Sequence, residues 1–107
     1  MFQKRHLFSI ALKKVQIIEQ VDGLIPQITA LNPDVLVITG DHSTPAAIKA
    51  HSWHPVPVLL HSKWCRTDGK TRFSETNCRT GELGRMPTEN LMTVMMANAQ
   101  KLNKFGA

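Results

Sequence analysis

The chain has 107 residues, 42% of them apolar and 20% charged, and a net charge of +5. Those values suit one small domain with a modest core and exclude a disordered tail, a coiled coil and, since no long apolar run occurs, a membrane-spanning segment. The basic residues are scattered over positions 4–14, 63–85 and 101–104, and tyrosine is absent, so a small anionic substrate accounts for the charge better than nucleic acid does.

At the N-terminus, basic residues precede the apolar patch 7–12 in the manner of a signal peptide. The patch is too short, however, and Lys13 and Lys14 follow it without a small-residue cleavage site, so a soluble, cytoplasmic chain is expected. From there Ala11, Val15, Ile18, Val21, Ile25 and Ile28 recur at steps of three and four, which predicts a helix with one buried face. Pro26 should kink or split it, because proline lacks the amide donor and crowds the carbonyl four residues back. The turn residues Asn32, Pro33 and Asp34 lead into the continuous apolar run 35–38, which predicts a strand covered on both faces in a parallel sheet. A second strand is expected over residues 56–61, with Pro57 marking an edge or an early position. Between the two, residues 45–50 predict a short helix with Ser43 or Thr44 near its N-cap. The polar stretch 62–83 predicts irregular chain with a short strand near 72–74. Pro87 opens a last helix in which Leu91, Met95, Ala99 and Leu102 share a face, the methionines serving as core filler. Cys65 and Cys78 lack C-x-x-C or zinc-site spacing and are expected to be reduced and unpaired. The fold class expected from this alternation is α/β, a short parallel sheet flanked by helices.

In such a sheet the Gly40-Asp41-His42 turn falls at the carboxyl end of the first strand, where open α/β sheets place their ligands. A carboxylate and a neutral imidazole are preferred ligands of divalent zinc and manganese, and Gly40 gives the turn freedom to bend. His51 follows nine residues later, where the chain could return it to the same rim; His54 and His61 are weaker candidates.

The segments TGDHSTP at 39–45, KAHS at 49–52 and PVPVL at 55–59 together resemble the C-terminal metal-binding part of the archaeal-type, cofactor-independent (2,3-bisphosphoglycerate-independent) phosphoglycerate mutases. RFSETNC at 72–78 and GELGRM at 81–86 are similar to the closing segment of the same family, which belongs to the alkaline phosphatase superfamily. The resemblance runs from about Val15 to the C-terminus; residues 1–13 are expected to be a divergent leader, and the chain a single C-terminal fragment of a metalloenzyme domain with a partial alkaline-phosphatase-like core.

The resemblance implies interconversion of 3-phosphoglycerate and 2-phosphoglycerate in glycolysis through a phosphoserine. It further implies two divalent ions, manganese or magnesium and in some members zinc or cobalt. Two ions roughly 3.5–4 Å apart withdraw charge from the attacking and leaving oxygens of an in-line displacement. Carried over by position, Asp41 and His42 match ligands of one metal and His51 a ligand of the second. Lys49 and Arg85 are weaker candidates for holding a carboxylate or phosphate, with a solvated surface role favoured for both. The nucleophilic serine and an early aspartate ligand of the family have no counterpart here, since Ser43, Ser52 and Ser62 do not occupy the nucleophile position. Upstream, Phe2 stands where many members have the aspartate of an Asp-x-x-x-His pair, although His6 is nearby. The isolated chain is therefore expected to be inactive, working with a complementing chain or as a homo-oligomer. The alternatives are an inactive remnant, an interaction module, or part of another two-metal phosphatase.

Overall fold

The computed structural model describes residues 2–103, with side chains from residue 8 onward. Helix α1 spans Phe2–Thr29 and is followed by strand β1, Val35–Thr39, and strand β2, Val58–Ser62. A short helix α2, Glu75–Cys78, a 3-10 turn at Thr88–Asn90 and helix α3, Leu91–Asn98, complete the order. No described helix is long and apolar enough to cross a membrane.

The three- and four-residue spacing in α1 does produce a helix, and Pro26 lies inside it without dividing it. Its missing amide falls in the last turn, so only one internal hydrogen bond is lost close to an end that would fray anyway. The Ala30 amide still donates to the Pro26 carbonyl at 3.0 Å, and Asn32 then turns left-handed at φ 53° and stops the helix. The expected buried face is not realised. Of its described members only Ile25 is half-buried, while Val15, Ile18, Val21 and Ile28 remain exposed.

β1 and β2 form a two-stranded sheet, but the pairing is antiparallel, running from Val35 opposite Ser62 to Thr39 opposite Val58. This corrects the parallel arrangement expected from the sequence. A parallel pair needs a crossover, usually helical, that carries the chain back along the sheet. Here the connection doubles back on itself instead. Residues 45–50 make a single turn, in which the Ile48 and Lys49 amides both donate to the Pro45 carbonyl at 3.1 and 3.0 Å, and Lys49 adopts φ 56°. The helix expected there is thus absent, because the left-handed residue ends it after one turn. β2 begins directly after Pro57, whose carbonyl accepts the Thr39 hydroxyl at 2.9 Å. Four of the five β1 residues are half-buried, and none is covered on both faces as expected.

The strand anticipated near 72–74 is irregular chain. Ser74 instead caps α2, its hydroxyl accepting the Asn77 amide at 3.1 Å. The last helix forms as expected after Pro87 but ends at Asn98, leaving Leu102 outside it and exposed. Leu91, Val94, Met95, Asn98 and Ala99 are its half-buried side, and α3 packs against β1. Both cysteines are free thiols.

The chain divides into two units. One holds α1 with residues 42–54; the other holds residues 33–41 and the chain from Pro55 onward. No described apolar residue is buried, and Ser62 alone is, at 6% exposure. Its hydroxyl donates to Asn98 Oδ1 at 2.7 Å and accepts the Cys65 amide at 2.9 Å and the Trp64 amide at 3.2 Å. Asn98 in turn donates from Nδ2 to the Val94 carbonyl at 2.9 Å. One oxygen therefore ends β2, starts the following turn and ties both to α3. Further along, Asp68 accepts the Lys70 amide at 3.0 Å and the Glu82 amide at 3.4 Å, stitching the two ends of an exposed loop. Those bonds, the Lys70 amide first, hold the Asp68 carboxyl below its ordinary value of 3.8.

Replacing Ser62 with alanine strands two amides and an amide oxygen, so a loss of about 1–3 kcal/mol is expected in urea unfolding, with faster hydrogen exchange at Trp64 and Cys65. For Asp68 the sign follows from its lowered value. Its contribution is complete above 3.8 and is lost as the pH falls through the lower folded value. Amide exchange at Lys70 and Glu82, corrected for the intrinsic pH effect, should therefore quicken in that acid window and not above it.

Candidate metal centre

The segment between the strands is shaped by one backbone contact. Ser43 and Ser52 form an isolated antiparallel bridge, closed by the Ser52 amide on the Ser43 carbonyl at 2.9 Å. In such a pairing the next opposed positions are 44 and 51, and side chains two apart on one strand share a face. His42, Thr44 and His51 are consequently brought to the same side. The Thr44 oxygen lies 2.9 Å from His51 Nδ1 and 3.2 Å from His42 Nδ1, and the two imidazole centroids are 3.7 Å apart at an interplanar angle of 48°. Lys14 of α1 donates from Nζ to the Thr44 carbonyl, which fastens this segment to the helix within its unit.

Two of the three strongest candidates from the sequence thus meet, although nine residues separate them. Asp41 is joined covalently to His42 and is exposed. Lys49 sits on the turn at 45–50 and Arg85 on the loop before α3, both exposed. His54 serves the loop itself: its carbonyl accepts the Ser43 hydroxyl at 2.9 Å, its Nδ1 meets Ser52 Oγ at 2.7 Å, and its ring stacks on Trp53 at 4.8 Å. His61 lies on β2 opposite Leu36, exposed. The side chains of Phe2 and His6, where the family's second ligand pair would fall, lie outside the described ones.

Sequence reasoning did not single out Thr44 as a site residue. Its role follows from the bridge at 43 and 52, which sets 44 against 51, and nothing in the composition of the loop announces that bridge.

Adjacent imidazoles are a suitable donor set for a borderline divalent ion, and a second partner on the far ring nitrogen is the usual support for a histidine ligand. Among the described residues, however, no group of three or more His, Cys, Asp or Glu side chains is gathered as a metal cage. The residues present fit a divalent ion as part of a ligand set rather than as a closed site.

Comparison with known proteins gives a consistent picture. The family model described as the metalloenzyme superfamily matches residues 10–98. A protein of Thermotoga petrophila named "Probable 2,3-bisphosphoglycerate-independent phosphoglycerate mutase" is 57% identical over 95 residues, which cover 89% of this chain and 24% of that protein. Proteins of the same name from Thermus thermophilus and Aquifex aeolicus are 53% and 50% identical over 94 residues, covering 88% of this chain and 23% of each. A solved structure, that of the PH0037 protein from Pyrococcus horikoshii, superposes with a TM-score of 0.80 at 39% identity, covering 88% of this chain and 29% of that one. The chain spans about a quarter of the length of the curated relatives it matches. With its mixed helix and strand fold and a match over most of its length, the chain belongs to the metalloenzyme superfamily.

Proposed function

We propose that this chain furnishes part of the metal centre of a phosphoglycerate mutase, an isomerase interconverting 3-phosphoglycerate and 2-phosphoglycerate in glycolysis. The observation that carries the reading is the convergence of His42 and His51 on Thr44, in a segment whose relatives at 50–57% identity bear the mutase name. In this reading Asp41 and His42 hold one divalent ion and His51 the other, the ions being manganese or magnesium, with zinc or cobalt as substitutes. Such ions supply Lewis-acid stabilisation to the oxygens of phosphoryl transfer. This chain's share is to hold the imidazoles at fixed orientation.

The phosphoserine step belongs to a serine outside these residues. Ser62 is engaged with Asn98, Ser43 with the His54 carbonyl and Ser52 with the His54 ring, so all three have structural work. We read the residues ahead of the family match, which begins at residue 10, as divergent from the family, the remainder as one portion of a cytoplasmic enzyme, and a further segment or a complementing chain as the source of the serine. A second reading, a portion of another two-metal phosphatase, is supported by the family model, whose match is to the metalloenzyme superfamily as a whole.

The experiment is a thermal shift with manganese or zinc. At a hundredfold excess over Kd a bound ion adds about 2.7 kcal/mol of stability. A rise in Tm is expected, and His42→Ala should abolish it; no rise at millimolar metal would refute ligand binding by this chain. The isolated chain should show no mutase turnover with added manganese, whereas turnover would place a nucleophile within these 107 residues.

A further inference from the structure

The Thr44 hydroxyl faces two ring nitrogens at once, the Nδ1 atoms of His42 and His51, at 3.2 and 2.9 Å. A hydroxyl has one proton and two lone pairs, and a neutral imidazole carries its proton on one nitrogen only. Two arrangements satisfy both contacts. In the first, Thr44 donates to one ring and accepts from the other, and the ring that receives the proton must carry its own on Nε2. In the second, both rings carry the proton on Nδ1 and both donate to the two lone pairs of Thr44. Only the second leaves a lone pair on Nε2 of both imidazoles, the form a metal ligand requires.

We infer that Thr44 is a positioning residue that acts as shared acceptor for His42 and His51, setting both imidazoles in the Nδ1–H form and so making Nε2 the nitrogen by which each would take a cation. The inference rests on the proposal that these histidines are metal ligands, and it adds the group that prepares them. The backbone fixes the place of Thr44 between the two rings. The 43–52 bridge fixes the opposition of 44 and 51, and the Lys14 ammonium engages the Thr44 carbonyl. The Thr44 backbone is therefore held by the neighbouring bridge on one side and by α1 on the other, and the hydroxyl is placed by it. A centroid separation of 3.7 Å also leaves the rings little room to turn separately.

The test uses the full chain with 15N-labelled histidine, zinc as a diamagnetic probe, and the variants Thr44→Val and Thr44→Ser. Long-range 1H–15N correlation spectra, recorded without metal at a pH where the rings are neutral, read which nitrogen of each ring bears the proton. The wild type and Thr44→Ser should show Nδ1–H at both His42 and His51. Thr44→Val, similar in size but without the oxygen, should lose that form in both rings. Zinc affinity measured by calorimetry should fall about 10- to 100-fold in Thr44→Val and recover in Thr44→Ser. Nε2–H on either ring of the wild type overturns the inference, as does unchanged zinc affinity in Thr44→Val. The expected proton positions together with no zinc binding by any form would sink the metal-centre reading and overturn the preparatory role, while retaining Thr44 control of the rings as a structural fact.

Discussion

The pairing of Ser43 with Ser52 is the constraint on which the candidate site depends. It is one backbone contact in a loop otherwise made of turns, and it converts a nine-residue separation between His42 and His51 into ring contact. A main-chain bond of this kind is worth only about 0.5–1.5 kcal/mol net. Its effect on function is larger than its effect on stability, because the side-chain geometry of three residues follows from its register.

A second theme is the mismatch between apolar content and burial. Over two-fifths of the residues are apolar, yet none among those described is buried, and Trp53, Leu31 and Phe8 are 84%, 80% and 71% exposed. Burial of apolar surface is the main favourable term in folding, at roughly 25 cal/mol per Å². What order the chain has is carried to an unusual degree by local polar devices: the Ser62 hydroxyl, the Asp68 stitch, the Ser74 cap and the left-handed Asn32. The matched segment makes up about a quarter of the length of its relatives.

Much of the element pattern was legible in the sequence, for reasons specific to each stretch. The 3.6-residue repeat of α1, the β-branched run of β1 and the apolar run that opens β2 are strong local signals. The side of α3 that turns inward was readable up to Ala99 and failed at Leu102, because a helix end depends on caps as much as on periodicity. The segment 45–50 misled because Pro45 and the alanines favour a helical start, while Lys49 adopts a conformation its residue type does not advertise. Strand direction was hidden because it is decided by the path of the connection and not by the strands. At the site, residue chemistry pointed to His42 and His51, whereas the hydroxyl between them became visible only with the register of the 43–52 contact.

β1 ends with a consequence for how the chain behaves in concentrated solution. It pairs with β2 along one edge, and no described backbone group hydrogen-bonds to its other edge. Its sequence, VLVIT, holds no charge and no proline, the devices by which natural sheets discourage further pairing. β2 is better guarded, with Pro57 immediately ahead of it and His61 within it. For crowded molecules of this polypeptide the β1 rim is an open template for strand pairing, so a ribbon of five residues bears on colloidal behaviour.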